Sequence, residues 1–213
     1  MSGIFITIEG GEGTGKTTLI KAIENELTVR GFCVVTTREP GGSSLGEHIR
    51  TWLLNRDASV AIGSHAELLL FLAGRAQHIE ELIQPSLARG CVVLCDRFND
   101  STIVYQGIAR NLGQEYVAQL CSSVCRGIDP HLTFVLDLDP GTGLARSRAV
   151  NKEHAAEGEL DRIESEALHF HEKVRKGFLD LAQQAPHRCK IIDAAQSKER
   201  VFLEAISALE KVI

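Results

Sequence analysis

Short apolar runs alternate along the chain with longer stretches whose apolar residues recur at helical spacing. The runs at 3–9, 32–37, 91–96, 132–138 and 188–193 predict strands, and the stretches at 15–30, 44–55, 64–88, 113–126, 160–184 and 197–212 predict helices. The last helix carries Val201, Phe202, Ala205, Ile206, Leu209, Val212 and Ile213 as one stripe, and the one before it Ile163, Ala167, Phe170, Val174, Phe178 and Leu181. Gly31 and Gly90 each stand between a helix and the next strand, as glycines that end a helix do. Strands that alternate with helices need crossover connections, so the pattern predicts an α/β fold. Its five-stranded parallel sheet would have helices on both faces, in three layers. Ligands in such sheets bind beyond the carboxyl ends of the strands. One stretch breaks the rhythm: residues 149–159 are polar and lack a strong apolar period, which predicts a flap or long surface loop.

The first strand leads into Gly10-Gly11-Glu12-Gly13-Thr14-Gly15-Lys16-Thr17, a full GxxxxGK[ST] match, and the stripe Leu19, Ile20, Ile23, Leu27 follows it. A strand before and a helix after are the context this motif requires. Glycines let main-chain N–H groups close around phosphate oxygens, and the helix N-terminus adds a favourable dipole. The motif makes the chain a P-loop NTPase in fold and assigns Gly10 through Thr18 to ATP. Lys16 would reach the β- and γ-phosphates, and the Thr17 hydroxyl would ligate magnesium. A P-loop alone names no substrate. The guanine-reading NKxD is absent from the sequence.

A length of 213 residues suits a single domain, 1–213, with a lid at about 146–160. With 44% hydrophobic and 24% charged residues it has the composition of an ordinary globular protein. A net charge of −5 gives no basic field for nucleic acid. No apolar run is long enough to span a bilayer, and the opening residues lack the basic-then-apolar pattern of a cleavable leader, so the expected location is the cytoplasm. The six cysteines include no CxxC pair and are expected to be small, reduced, mostly buried apolar residues.

A second candidate centre is the run Cys91 to Arg97, an apolar strand that ends in a carboxylate and a guanidinium. At that strand end Asp96 could hold magnesium and Arg97 could grip a second phosphate. Asp139, before Pro140, reads instead as the N-cap of a following helix.

Five segments together resemble the thymidylate kinase family: Ile8 to Thr17, Thr37 to Gly42 (TREPGG), Leu70 to Arg75, Asp96-Arg97 through Tyr105-Gln106-Gly107, and Glu159 to Glu164. The resemblance covers nearly the whole chain and implies transfer of phosphate from ATP to dTMP with Mg2+, usually by a homodimer. It implies that Phe71 stacks on thymine and Arg75 donates to a base carbonyl, four residues apart and so on one helix face. A donor fixed there would reject cytosine, which presents an amino group at that place. By the same resemblance Tyr105 lies under the deoxyribose, Gln106 and Ser101 serve the base side, and Arg50 and Arg97 hold the dTMP phosphate. Glu12 would meet the sugar 3′-OH or magnesium-bound water, and a cis bond is expected before Pro40.

The family divides by the source of its catalytic cation, either a basic residue inside the P-loop or a lid arginine. Gly13 places this chain with the second type. The resemblance then makes Lys16, Arg97, Arg148 and Glu12 the catalytic set, with Arg148 first choice at the transferred phosphoryl and Arg146 next, toward adenine. The stretch 150–157 holds only Lys152 as a basic residue, fewer than the family pattern has there. Another nucleotide or nucleoside kinase, and a P-loop binding module, remain open from sequence.

Overall fold

The computed structural model describes residues 3–54, 61–154 and 161–213, the side chains of 150–154 excepted. In chain order the elements are β1 (Ile4–Gly10), α1 (Lys16–Val29), β2 (Val34–Arg38), α2 (Ser44–Leu54) and α3 (Ser64–His78). A π-helical turn, Ile79–Ile83, joins α3 to α4 (Gln84–Ala88), and β3 (Val92–Asp96) follows. Next come α5 (Asn99–Thr102), a second π-helical stretch (Ile103–Ala109), α6 (Gln114–Cys125) and β4 (Leu132–Asp137). The chain ends with α7 (Pro140–His154), α8 (Leu168–Gln184), β5 (Cys189–Asp193) and α9 (Lys198–Leu209).

The five strands form one parallel sheet in the order β2-β3-β1-β4-β5. Alternate residues of β1 serve opposite layers, as the pleat demands. Ile6 and Ile8 pack with Leu94, Phe134 and Ile192 under Leu19, Ile23 and Leu27 of α1 and Val201, Ala205 and Leu209 of α9. On the other face Phe5, Val93 and Cys95 meet Ile79, Ile83 and Phe98, while Val135 meets Val174 and Phe178 of α8. Each Val, Leu, Ile or Phe among them contributes about 1.5–3 kcal/mol by leaving water. The order puts β1 between β3 and β4, so the loop after β1 and the loop after β3 open on the same rim beside each other.

All five predicted strands exist, but three helices depart from the pattern. The segment from Asn99 to Ala109 is helical without a clear apolar period to predict it, because it buries Asp100, Ser101, Thr102 and Gln106 alongside the apolar Val104 and Tyr105. Helix α7 runs on to His154, into the segment predicted as a flap, and 155–160 lie outside the described residues. The helix predicted from 160 begins only at Leu168. The Asp161 carboxylate accepts from the main-chain N–H groups of Ile163 and Glu164, both at 2.8 Å, and this turn competes with a helix. Asp139 does cap α7, accepting from the N–H of Thr142 at 2.9 Å.

The expectation of six reduced thiols needs correction. Cys33 and Cys91 form a disulfide. They flank the paired residues Val34 and Val92 in parallel register, which brings their Cα atoms to 4.6 Å, inside the range a disulfide spans. Cys95, Cys121, Cys125 and Cys189 are free. Among the described residues, no helix is long and apolar enough to cross a membrane.

Candidate active site

The glycine-rich loop leaves β1 and turns into α1 through Gly15, whose φ of 90° only glycine adopts at low cost. Within it the Thr14 hydroxyl donates to the Gly11 carbonyl at 3.1 Å, and Lys16 Nζ donates to the same oxygen at 2.8 Å. Burial and the nearby Arg97 lower the Lys16 pKa, while Glu12, Asp96 and Glu9 oppose the shift. Gly13 has a second constraint. A Cβ added there would stand 1.9 Å from the carbonyl oxygen of Gly143 on α7, and one added at Gly143 would meet the Glu12 carbonyl at 2.3 Å. The P-loop and α7 therefore touch backbone to backbone, and no side chain fits at position 13.

Arg97 stands just beyond β3 with φ of 69°, a left-handed conformation costly for arginine. Its guanidinium is held by the Gly10 carbonyl at 2.9 Å, by Glu12 Oε1 at 2.7 Å and over the Tyr105 ring at 5.2 Å. The Tyr105 hydroxyl donates to the same Glu12 oxygen at 2.9 Å. Burial alone would raise the Glu12 pKa, but Arg97, Lys16 and the tyrosine hydroxyl outweigh it and hold the carboxyl at about 2. Burial would also lower the Arg97 pKa, yet Glu12, Tyr105, Asp96 and Glu9 carry it above its ordinary value.

Beneath this pair lies Glu9, fully buried at the end of β1. Its Oε1 accepts from the N–H groups of Phe98 at 2.8 Å and Ser101 at 3.4 Å, and its Oε2 meets the Ser101 hydroxyl at 2.6 Å. Glu9 thus fastens the turn that carries Arg97. Burial, then the charge of Asp100, push its pKa up to about 7. The folded state therefore holds a proton on Glu9 between about pH 4.5 and 7 that the unfolded chain has lost, so this group's contribution falls as pH rises through that window. Glu9→Gln, an isostere of the protonated acid, should flatten the decline of the unfolding midpoint between about pH 5 and about pH 7. An unchanged slope in thermal scans would contradict the assignment.

Asp96 offers a place for a cation. Its Oδ1 is buried with no hydrogen-bond partner, and its Oδ2 accepts from the Thr17 hydroxyl at 3.3 Å. A carboxylate and a hydroxyl at a phosphate loop are the hard oxygen donors magnesium takes. Among the described residues no group of three His, Cys, Asp or Glu could hold a metal, so phosphate oxygens and water would complete the shell.

The cleft continues from the P-loop under α3. It has a volume of about 1210 Å3, above the roughly 300–1,000 Å3 of a pocket for one drug-sized ligand. Arg50, Phe71, Arg75, Ser101, Tyr105 and Gln106 all line it. Phe71 also packs against the core around Tyr105 and Phe170, so its core-packing and cleft-lining readings both hold geometrically. Arg75 is buried with Glu39: the two lie 2.6 Å apart, His78 Nδ1 stands 3.0 Å from the other Glu39 oxygen, and Thr37 meets His78 Nε2 at 2.7 Å. Arg75 also donates to the Thr102 hydroxyl at 2.8 Å and sits 5.0 Å over the Phe98 ring. The Glu39–Pro40 bond is cis, and the Pro40 carbonyl accepts from Arg50 at 2.9 Å.

Of the lid cations, Arg146 lines the cleft and donates to the Ala194 carbonyl at 3.0 Å, beside the turn that carries Gln196 and Ser197. Arg148 is exposed on α7 and is not among the cleft-lining residues. The Lys152 side chain lies outside the described residues. Sequence reasoning missed Glu9, Glu39, His78 and Glu67 as supports of the site. For Glu67 a signal existed: Glu67, Phe71 and Arg75 recur at four-residue spacing, so an acidic residue shares the face of the two expected base readers.

A family model described as thymidylate kinase matches residues 8–205. A thymidylate kinase of Protochlamydia amoebophila is 56% identical over 98% of this chain and 93% of its own length. One from Desulfovibrio desulfuricans is 47% identical over 97% of this chain and 95% of its own. The crystal structure of thymidylate kinase from Ehrlichia chaffeensis superposes with a TM-score of 0.74 at 34% identity, covering 98% of this chain and 99% of that one.

Proposed function

From the premise that the chain belongs to the thymidylate kinase family, and so phosphorylates dTMP to dTDP with ATP and Mg2+, we propose a division of that work among its residues. ATP lies on Gly10 through Thr18, with Lys16 at the β- and γ-phosphates and Arg146 toward adenine. The dTMP phosphate meets Arg50 and Arg97, its sugar meets Glu12 and Tyr105, and its base meets Phe71, Arg75, Ser101 and Gln106. The observation that carries this is the seat of Arg97, fixed by Glu9 and Glu12 between the phosphate loop and the half of the cleft under α3.

Thr17 and Asp96 would hold magnesium together with the phosphates, and the ion would supply positive charge there. The residues do the rest. Lys16 and Arg97 place positive charge on either side of the transferred group. Glu12, ionised beside Arg97, accepts from the sugar and keeps the guanidinium aimed. The acceptor phosphate is already an anion, so no protein base is needed. Gly13 leaves no room for a second P-loop cation beside Lys16, and the remaining charge falls to the lid, with Arg148 reaching the phosphoryl group only if α7 turns toward the cleft. A survey of nucleoside monophosphates with ATP and magnesium tests the assignment. dTMP should react best, and a faster rate with another monophosphate would overturn it.

We also infer a homodimer. The neighbouring helices α2, α3 and α6 leave Trp52 at 59%, Leu69 at 59% and Tyr116 at 47% exposure, large apolar groups that a second copy would cover. Trp52→Glu should shift sedimentation from dimer to monomer; a wild-type chain that sediments as a monomer would refute the inference.

A further inference from the structure

Glu67 lies on α3, away from the phosphates, with 1% of its side chain exposed. Three donors converge on it. Gln106 Nε2 donates to Oε1 at 2.8 Å, Arg110 Nε donates to the same oxygen at 3.3 Å, and Arg162 donates to Oε2. Arg110 is shared with Glu166, and Arg162 is anchored by the Leu53 carbonyl at 2.8 Å. The carboxylate is thus fixed from three sides and cannot turn.

That fixity decides the direction of a neighbouring amide. Gln106 is 1% exposed and lines the cleft. An amide has two donors on nitrogen and acceptors on oxygen, and only the nitrogen can face an ionised carboxylate. Glu67 takes one Nε2 proton and so fixes which end of the planar amide faces it, which turns the carbonyl oxygen away from the carboxylate. We propose that Glu67 is a positioning residue for base selection: it locks Gln106 as a hydrogen-bond acceptor toward the acceptor base. Thymine carries an N–H at the pyrimidine N3, which an acceptor satisfies. Cytosine carries a lone pair there, which would face the amide oxygen with no proton between them. This rests on the reading that the α3 half of the cleft takes the base. It adds a discriminating group beside Arg75, at a different ring position, through a residue that never touches the substrate.

The test is Glu67→Gln. Glutamine has one accepting oxygen where two are needed. The charged Arg162 takes that oxygen, so the new NH2 faces Gln106. The Gln106 amide then flips and offers a donor to the base. The ratio of kcat/KM for dTMP over dCMP should fall at least about tenfold, through a raised KM for dTMP, with the KM for ATP little changed. The exchanged pair Glu67→Gln with Gln106→Glu should restore the ratio, because the carboxylate then standing at position 106 can only accept and the net charge is kept. A purely structural role would lower the unfolding midpoint and kcat without moving the ratio. If Glu67→Gln does not fold, Gln106→Met supplies the second measurement, since it deletes the acceptor and keeps the volume. A ratio that stays at the wild-type value in Glu67→Gln or in Gln106→Met overturns the proposal. Wild-type protein inactive on dTMP in the same assay would instead indict the reading of the cleft.

Discussion

Lys16→Met should lower kcat by roughly 10²–10³-fold, the scale of removing one preorganised donor from a developing oxyanion. Methionine keeps the stem's bulk and deletes only the ammonium. In the structure that ammonium is buried and bound to the Gly10 and Gly11 carbonyls at 3.3 and 2.8 Å, so it is poised within the loop rather than spread in solvent. Burial and Arg97 lower its pKa, and the carboxylates of Glu12 and Asp96 oppose that shift. Its effect should grow as negative charge builds on the transferred group, so kcat should fall more than affinity for ATP. Lys16→Arg should not restore the rate, because a planar fork cannot occupy the place of a compact point charge under a closed loop. Steady-state kinetics at saturating dTMP decide the matter. A kcat within a factor of about five of wild type would remove Lys16 from the chemistry.

The phosphate loop was legible because its meaning is local. Eight consecutive residues, a strand before and a helix after carry the whole signal. The Asp96-Arg97 strand end was legible for a similar reason, since an apolar run names its own carboxyl end. What supports those groups was not legible. Glu9 reaches Ser101, Glu39 reaches Arg75 and Glu67 reaches Arg162, pairs 92, 36 and 95 residues apart. Spacing along one chain says nothing about such pairs until the sheet order brings them together. The helical segment 99–109 escaped for another reason. Apolar period is the signal of a helix against a core, and here buried polar groups that line the cleft are interleaved with the core-facing Val104 and Ile108 and blur it. Gly13 shows both limits. Its identity pointed to the lid-arginine type as an expectation, and the contact with Gly143 that forbids any larger residue is visible only in three dimensions.

The lid shows where position and chemistry part. Sequence puts Arg146 and Arg148 two residues apart, and two residues on a helix point to different sides. In the structure Arg146 faces the cleft and Arg148 solvent. Ser147 between them donates to Glu164, whose segment is tied through Arg162 to α2 and α3. Movement of α7 would therefore be felt at the acceptor side of the cleft.

Arg75→Met should cost about 3–5 kcal/mol of unfolding free energy, the result of breaking a buried ion pair from one side. Arg75 and Glu39 are 1% and 5% exposed at the side chain, so neither charge has water to fall back on. Burial would raise the Glu39 pKa, but Arg75 and then His78 bring it below the ordinary value, and the carboxylate stays ionised in the fold. Methionine leaves that charge with His78 alone, and the Thr102 hydroxyl and Cys121 thiol lose their donor. Adding Glu39→Gln should recover most of the loss, since a neutral amide can still meet His78 and no longer needs a cation. On the proposed role of Arg75 as donor to the base carbonyl, the double variant would be stable and still unselective. Denaturant unfolding of the two variants separates the parts. If the single variant is as stable as wild type, the pair is not a buried ionic one. If the double variant regains both stability and preference for dTMP over dCMP, Arg75 holds the pocket together without reading the base.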